Sequence, residues 1–185
     1  MGLLGEGINE IIATTRNNAA PIGIIVKGDS PPGMVLFKGT HTLENIKRDG
    51  WVVANIVHDP VIYVRTAFDD LPEEYFCDEI AGELEIQRLK DASVWIAFKT
   101  DIKKDSGNAV SVSLNPIMEK VLDERIYPVN RGFNSIIEAT VHGTRYVMNR
   151  DPRLKQLIDH HASLVRRCGG RREEEALELL LEYIH

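Results

Sequence analysis

The sequence has few cysteines and no surplus of positive charge, and each shortage excludes a class of protein. Only Cys77 and Cys168 occur, far apart and without a Cys-x-x-Cys spacing, so we expect free thiols rather than a zinc site or a redox dithiol. A net charge of -6 argues against a general binder of nucleic acid or anionic membranes. Interleaved basic and aromatic residues, which would suit a barrel that binds single strands, are also missing.

Targeting and nucleotide-binding signatures are missing too. No apolar run approaches membrane-spanning length, and residues 1–4 do not open a signal peptide, so we expect a cytoplasmic protein. There is no Walker motif, and Gly2, Gly5 and Gly7 have the wrong spacing for a dinucleotide fingerprint. If the chain binds a phosphate, side chains and turn amides have to recognise it.

Short apolar and β-branched runs fill the first part of the chain. Turn signals at 28–33 and 104–108 separate two pairs of them, which favours a closed or nearly closed antiparallel barrel. The interval 59–75 is ambiguous, because Pro60 can open a helix whereas the residues after it prefer a strand. The predicted strands are 8–15, 21–27, 34–38, 51–57, 82–89, 93–100 and 109–114.

After Pro116 the apolar residues recur at helical spacing, which predicts helices around 136–147 and 154–165 and a third at 176–184. His160 and His161 are neighbours in the second helix. Adjacent residues point in different directions around a helix, so we expect these two not to share a metal ion and predict no metal site.

The segment 38–57 joins a basic, hydroxyl-rich turn to a short helix and then to a β-branched strand. Thr42 is the predicted N-cap and Gly50 the predicted end of this helix. The helix therefore begins where an anion would sit. Asn55 is the only strongly polar residue inside the following strand, and a buried amide must find a partner.

A second polar turn lies earlier, at 14–18, between two predicted strands. This turn and the segment 38–57 resemble the flavin reductase-like FMN-binding split-barrel superfamily. Asn18-Ala19-Ala20-Pro21 is similar to its Asn-x-Ala-Pro turn, and Thr42-Leu43-Glu44-Asn45-Ile46 fits its helix pattern. The strand 53–57 is similar to its Val-Asn-x-Val pattern, with one Ala between Val and Asn.

The later stretch 128–133 and the helix-like segment after it resemble an uncharacterised archaeal branch of this superfamily. The resemblance implies a mainly β fold with α, in which an antiparallel split β-barrel at 1–115 is followed by a C-terminal helical region at 116–185. That region is expected to pack on the barrel or on a dimer partner. The resemblance also favours a helix in the interval 59–75.

FMN needs partners for its phosphate, its ribityl chain and the edge of its ring. Arg16 can fork onto two phosphate oxygens and Lys38 can add a point charge, while hydroxyls and amides donate and accept hydrogen bonds. Each of these residues can also be an ordinary strand, turn or surface residue. The predicted FMN-binding residues are Thr14, Thr15, Arg16, Asn17, Asn18, Lys38, Thr40, Thr42 and Asn55.

The resemblance implies a homodimeric FMN flavoprotein, an oxidoreductase of the flavin reductase-like class that takes electrons from a nicotinamide or a deazaflavin. The alternative is a non-catalytic module that binds or stores FMN. We predict no catalytic residue, because the flavin carries the redox chemistry itself. His41 and His58 flank the proposed pocket, but a histidine beside a cap or turn is more often structural.

Overall fold

Residues 2–185, which the computed structural model describes, form eight strands and five α-helices, with one short 3-10 turn at Glu73–Tyr75. Met1, the first residue of the predicted barrel segment, lies outside them. The strands are β1 (Gly7–Thr15), β2 (Asn18–Val26), β3 (Gly33–Phe37), β4 (Trp51–Ile56), β5 (Phe76–Ala81), β6 (Leu84–Leu89), β7 (Val94–Ser106) and β8 (Ala109–Val121). The helices are α1 (His41–Asp49), α2 (Pro60–Phe68), α3 (Arg131–Asn149), α4 (Pro152–Cys168) and α5 (Arg171–Ile184).

The chain divides into two units. The barrel unit contains residues 2–57 and 71–124, and the helical unit contains residues 58–70 and 125–185. In the part of the chain that the structure describes, no helix is long and apolar enough to cross a membrane.

Six strands of the barrel unit close into an antiparallel barrel in the order β1-β2-β3-β8-β7-β4. This confirms the predicted antiparallel barrel. The strands β5 and β6 form a separate two-stranded sheet.

The barrel unit has two apolar cores, and β4 contributes to both. Val52 and Ala54 face the barrel interior, whereas Trp51 and Val53 pack with Ile86 of β6 in the second core. A strand buried on both faces needs a continuous apolar run rather than an alternating one. The sequence Trp51–Ile56 has such a run, and Asn55 is its exception.

The helical unit packs α2 with the three C-terminal helices around one apolar core, which includes Val61, Val64, Ile136, Ile158, Ala162, Leu177 and Leu180. Asp59 caps α2 by accepting a hydrogen bond from the Val61 N–H (3.0 Å), and Pro60 occupies the first helical turn. The interval 59–75 therefore contains a helix, as the resemblance favoured.

Three local predictions differ from the structure. The predicted N-cap is wrong, because the Thr40 hydroxyl accepts from the Leu43 N–H and α1 already begins at His41; Gly50 does end the helix, in the left-handed conformation with φ 72°. Strand β5 was not predicted, since its two central residues, Asp78 and Glu79, are acidic. Strand β8 continues to Val121, whereas the predicted strand ended at residue 114.

Candidate functional site

The polar turn between β1 and β2 is a two-residue hairpin turn, closed by the pairing of Thr15 with Asn18. Arg16 and Asn17 form its exposed tip. Asn17 has φ 54°, a left-handed conformation that asparagine tolerates better than most residues. The sequence therefore places a cation and an amide together at the end of the hairpin.

A hydrogen-bonded cluster of polar side chains fixes one side of this turn to helix α1. Asn45 Nδ2 donates to the Thr15 hydroxyl and to the Arg16 carbonyl, both at 2.9 Å. Asn18 Nδ2 donates to the Thr42 hydroxyl at 3.0 Å and to the Thr15 hydroxyl at 3.4 Å. Since Thr15, Asn18 and Thr42 are buried, these side chains position the turn rather than present themselves to a ligand.

Strand β6 holds the other side of the turn. The Gln87 side chain accepts from the Asn17 N–H, and the Gln87 carbonyl accepts from the Thr14 hydroxyl, both at 2.7 Å. Asn55 extends this contact, because its Oδ1 accepts from the Leu89 N–H at 2.8 Å. The turn is thus supported by α1 on one side and by the β5–β6 sheet on the other.

Asn55 is fully buried, and both the nitrogen and the oxygen of its side-chain amide are hydrogen-bonded within the protein. Its Nδ2 donates to the Ile12 carbonyl and the Thr14 hydroxyl at 2.9 Å, with a longer contact of 3.3 Å to the Val53 carbonyl. An amide nitrogen has two hydrogens, and the oxygen of this amide already accepts from Leu89. The geometry gives Asn55 a supporting role, and Thr14, also fully buried, shares it.

Arg16 differs from these residues, because its side chain is 47% exposed and its ion pair with Asp49 is long, with 3.7 Å between Nε and Asp49 Oδ2. Asp49 is bound more closely by Arg48, whose guanidinium donates at 2.7 and 2.9 Å. The hydrogen bond from Arg48 lowers the pKa of Asp49, and the charges of Arg48 and Arg16 lower it further. Most of the Arg16 guanidinium is therefore available to bind another anion.

Lys38 and Thr40 lie in the loop before α1 and are engaged elsewhere. Lys38 Nζ lies 2.5 Å from Asp105 Oδ1 on β7, and the Lys38 N–H donates to the Asn108 carbonyl. The Thr40 hydroxyl donates to the Phe37 carbonyl at 2.9 Å while it caps α1. The structure thus joins Thr14, Thr15, Asn18, Thr42 and Asn55 to the Arg16 turn through hydrogen bonds but turns Lys38 toward the β7–β8 hairpin.

Two supporting residues were missed in the sequence. Asn45 lies three positions after Thr42 on the same face of α1, and its place in the family's helix pattern could have identified it. Gln87 has no local signal, because it acts across 70 residues of sequence. His58, expected beside the pocket, belongs to the helical unit and stacks on Tyr127 and Phe133, with ring centroids 3.9 and 4.6 Å apart.

The donors at the turn suit the phosphate end of a mononucleotide. The exposed guanidinium of Arg16 can bind two phosphate oxygens, and the exposed amide of Asn17 lies next to it. The amides of Asn18 and Asn55, by contrast, are already hydrogen-bonded inside the barrel unit.

The closed antiparallel barrel with its hydrogen-bonded polar turn, together with a helical unit, is the combination that the resemblance to the split-barrel superfamily predicted. The chain belongs to the DUF447 family: residues 9–123 match "Protein of unknown function (DUF447) N-terminal domain", and residues 130–182 match "Protein of unknown function (DUF447)". The predicted resemblance is confirmed at the level of the family.

Two relatives extend over almost the whole chain. The crystal structure of the FMN-bound protein MM1853 from Methanosarcina mazei, of the same family, is 39% identical, covers 97% of this chain and 96% of its own, and superimposes with a TM-score of 0.91. The uncharacterized protein MJ1453 of Methanocaldococcus jannaschii is 26% identical over 96% of this chain and 98% of its own length. Both organisms are archaea, as the predicted branch is.

A more distant structure, the 2-nitrobenzoate 2-nitroreductase NbaA of Pseudomonas fluorescens, is 19% identical and covers 65% of this chain and 67% of its own, with a TM-score of 0.49. That similarity is too low to assign an activity.

Proposed function

We propose that this protein binds FMN. The observation that carries the proposal is the 39% identity, over 97% of the chain, to a family member whose crystal structure contains FMN. When bound, FMN supplies redox chemistry that no amino-acid side chain provides.

On this proposal, Arg16 contacts the phosphate and Asn17 lies beside it, while the buried cluster of Thr15, Asn18, Thr42 and Asn45 keeps the turn in place. The supporting evidence is that Arg16 is exposed and only weakly paired, at 3.7 Å from Asp49. An arginine fork that binds a phosphate in two places contributes more than an exposed ion pair of that length.

Titration of the apo-protein with FMN tests the proposal. Hydrogen bonds to charged groups contribute about 1.5 to 3 kcal/mol, so Arg16→Ala should weaken FMN binding roughly tenfold to a hundredfold. Arg16→Lys keeps the charge but not the fork, so its affinity for FMN should lie between those of the wild type and Arg16→Ala. Lys47→Ala is the matched control, because Lys47 is an exposed cation on α1 that pairs with Glu44 and not with Asp49, and it should bind FMN like the wild type.

These titrations test FMN binding and the role of Arg16 separately. A wild-type protein that does not bind FMN would contradict FMN binding as a whole. Binding that is unchanged in Arg16→Ala would remove only Arg16 from the phosphate site.

We further propose that the protein is an oxidoreductase of the flavin reductase-like class, with a nicotinamide or a deazaflavin as electron donor. Anaerobic stopped flow with each donor should bleach the bound flavin much faster than free FMN. If no donor exceeds the free-flavin control, the alternative applies, and the protein is a non-catalytic module that binds or stores FMN.

The proposed flavoprotein is a homodimer. Large apolar side chains are exposed on the outer surface of the barrel unit, with Ile8 67%, Val35 46% and Phe37 66% exposed. Val35 and Phe37 share one face of β3, and contiguous exposed apolar residues mark surfaces that associate. Sedimentation should give the mass of a dimer, whereas a monomer that retains full FMN occupancy would contradict this part of the proposal.

We also propose a cytoplasmic location. Cys77 and Cys168 are both free thiols, the form that reducing compartments maintain.

A further inference from the structure

Two imidazoles and a carboxylate converge in the helical unit. Glu138 and His142 lie on α3, and His161 lies on α4. Each of the three offers one ligand atom that lies within 4.8 Å of the other two. The ring centroids of His142 and His161 are 5.7 Å apart. We call Glu138, His142 and His161 the histidine cluster.

Helix geometry explains how the cluster forms. Glu138 and His142 are four residues apart, so both side chains lie on the same face of α3. His161 joins them from the neighbouring helix, while its sequence neighbour His160 does not belong to the cluster. The prediction of no metal site considered only the adjacent pair His160 and His161 and overlooked a histidine on another helix.

Unpaired buried nitrogens indicate that the cluster needs another partner. Within residues 2–185, the Nδ1 atoms of His142 and His161 are shielded from solvent and have no hydrogen-bond partner. Buried polar side-chain atoms almost always have one. Two such atoms on rings that face each other are therefore unusual.

The donor set of the cluster also suits a cation. A metal ion binds the neutral form of an imidazole and the deprotonated form of a carboxylate. Two imidazoles and one carboxylate therefore carry a single negative charge when they bind a metal ion.

The dimensions are close to those of a metal site. Tetrahedral ligands at about 2.0–2.1 Å from zinc lie roughly 3.3 Å from one another, so the ligand atoms would have to close by at most about 1.5 Å. Glu138 is exposed on the surface of α3 and can move without disturbing the core.

We propose that Glu138, His142 and His161 bind one divalent transition-metal ion of the zinc class. Imidazole ligands favour such ions over magnesium and calcium, which prefer oxygen ligands. Three protein ligands leave a fourth position for water or another small ligand, as in sites where zinc is not purely structural. The bound ion would also tie α3 to α4.

Metal binding by the FMN-loaded, full-length protein tests the proposal after treatment with a chelator and dialysis. Zn²⁺ is titrated by calorimetry, and Co²⁺ serves as a spectroscopic probe through its visible ligand-field bands, recorded as difference spectra against the metal-free flavoprotein. We expect one ion per chain, with Co²⁺ bands typical of a mixed nitrogen and oxygen ligand set.

Variants identify the ligands. Loss of a second-sphere partner weakens metal binding about 10- to 100-fold, so His142→Gln and His161→Gln, which remove a ligand itself, should weaken Zn²⁺ binding by at least about 100-fold. His160→Gln is the matched control, because His160 is the adjacent histidine outside the cluster, and it should bind like the wild type.

Each outcome decides the question. Absence of stoichiometric binding in the wild type, or equal binding by the two cluster histidine variants and the His160→Gln control, would overturn the proposal. If both histidine variants fail to fold, Glu138→Gln decides alone, because its exposed side chain is not needed for packing. In that case a loss of Zn²⁺ affinity of at least about tenfold supports the site, and unchanged affinity overturns it.

Discussion

Replacing Asn55 with alanine should destabilise the barrel unit without a matching loss of FMN affinity. The change removes two well-formed donated hydrogen bonds, each contributing about 1 kcal/mol, and leaves the buried Leu89 N–H without its acceptor, which costs about 1–3 kcal/mol. The free energy of unfolding should therefore fall by about 3–5 kcal/mol. Because Asn55 is 0% exposed, water cannot replace the lost partner.

Urea unfolding of the apo-protein measures this change. Trp51 and Trp95 are the two tryptophans of the chain, and both are buried in the barrel unit, so their fluorescence follows that unit alone. Asn115→Ala is the control: Asn115 is an exposed asparagine on β8, and its replacement should change the free energy of unfolding by no more than about 0.5 kcal/mol.

The FMN dissociation constant of the folded Asn55→Ala variant should stay within roughly threefold of the wild-type value, because Asn55 does not present its amide to the ligand and both Asn45 and Gln87 still hold the turn. If stability falls by less than about 1 kcal/mol while FMN affinity falls tenfold or more, Asn55 contacts the cofactor and the supporting role is wrong.

Two further changes test the helical unit. Asp59→Ala removes both the cap of α2 and an ion pair with Arg172, and it should lower the free energy of unfolding, measured by circular dichroism, by about 1–2.5 kcal/mol. Asp59→Asn keeps the cap and should recover about 1 kcal/mol of this loss. Equal losses in the two variants would mean that the cap contributes nothing. Gly132→Ala would place its Cβ 2.7 Å from the backbone nitrogen of Gly169 and should lower the free energy of unfolding by about 1–3 kcal/mol. Asn134→Ala, at an exposed position of the same helix, should leave the free energy of unfolding unchanged. Similar values for the two variants would refute the close approach.

Local patterns predicted the elements whose stability is local. Turn residues and β-branched runs identified most barrel strands, and the left-handed Gly50 ends α1 where it was expected. The N-cap was misplaced by two residues because Thr40 and Thr42 have the same chemistry, and only the Thr40 hydroxyl faces the first turn. Thr42 instead points inward and accepts from Asn18.

The candidate site was predictable only in part. The position of Arg16 at a hairpin tip follows from the sequence, but the roles of Asn55 and Gln87 depend on contacts between strands far apart in the chain. Strand β5 was missed for a similar reason: its two central residues, Asp78 and Glu79, are acidic, and the pairing with β6 that stabilises the strand is visible only in the folded sheet. Periodicity could not reveal that His142 and His161 meet across two helices.

The helical unit is built from two pieces of chain, and this has a consequence for synthesis on the ribosome. Helix α2 emerges before β5, yet Val61 and Val64 on its buried face pack with residues of α3, α4 and α5, which follow the barrel strands in the chain. Until α3 emerges, these side chains have none of their partners in α3, α4 and α5. A nascent chain that stops after the barrel therefore leaves an apolar helix uncovered, and chaperones recognise such surfaces.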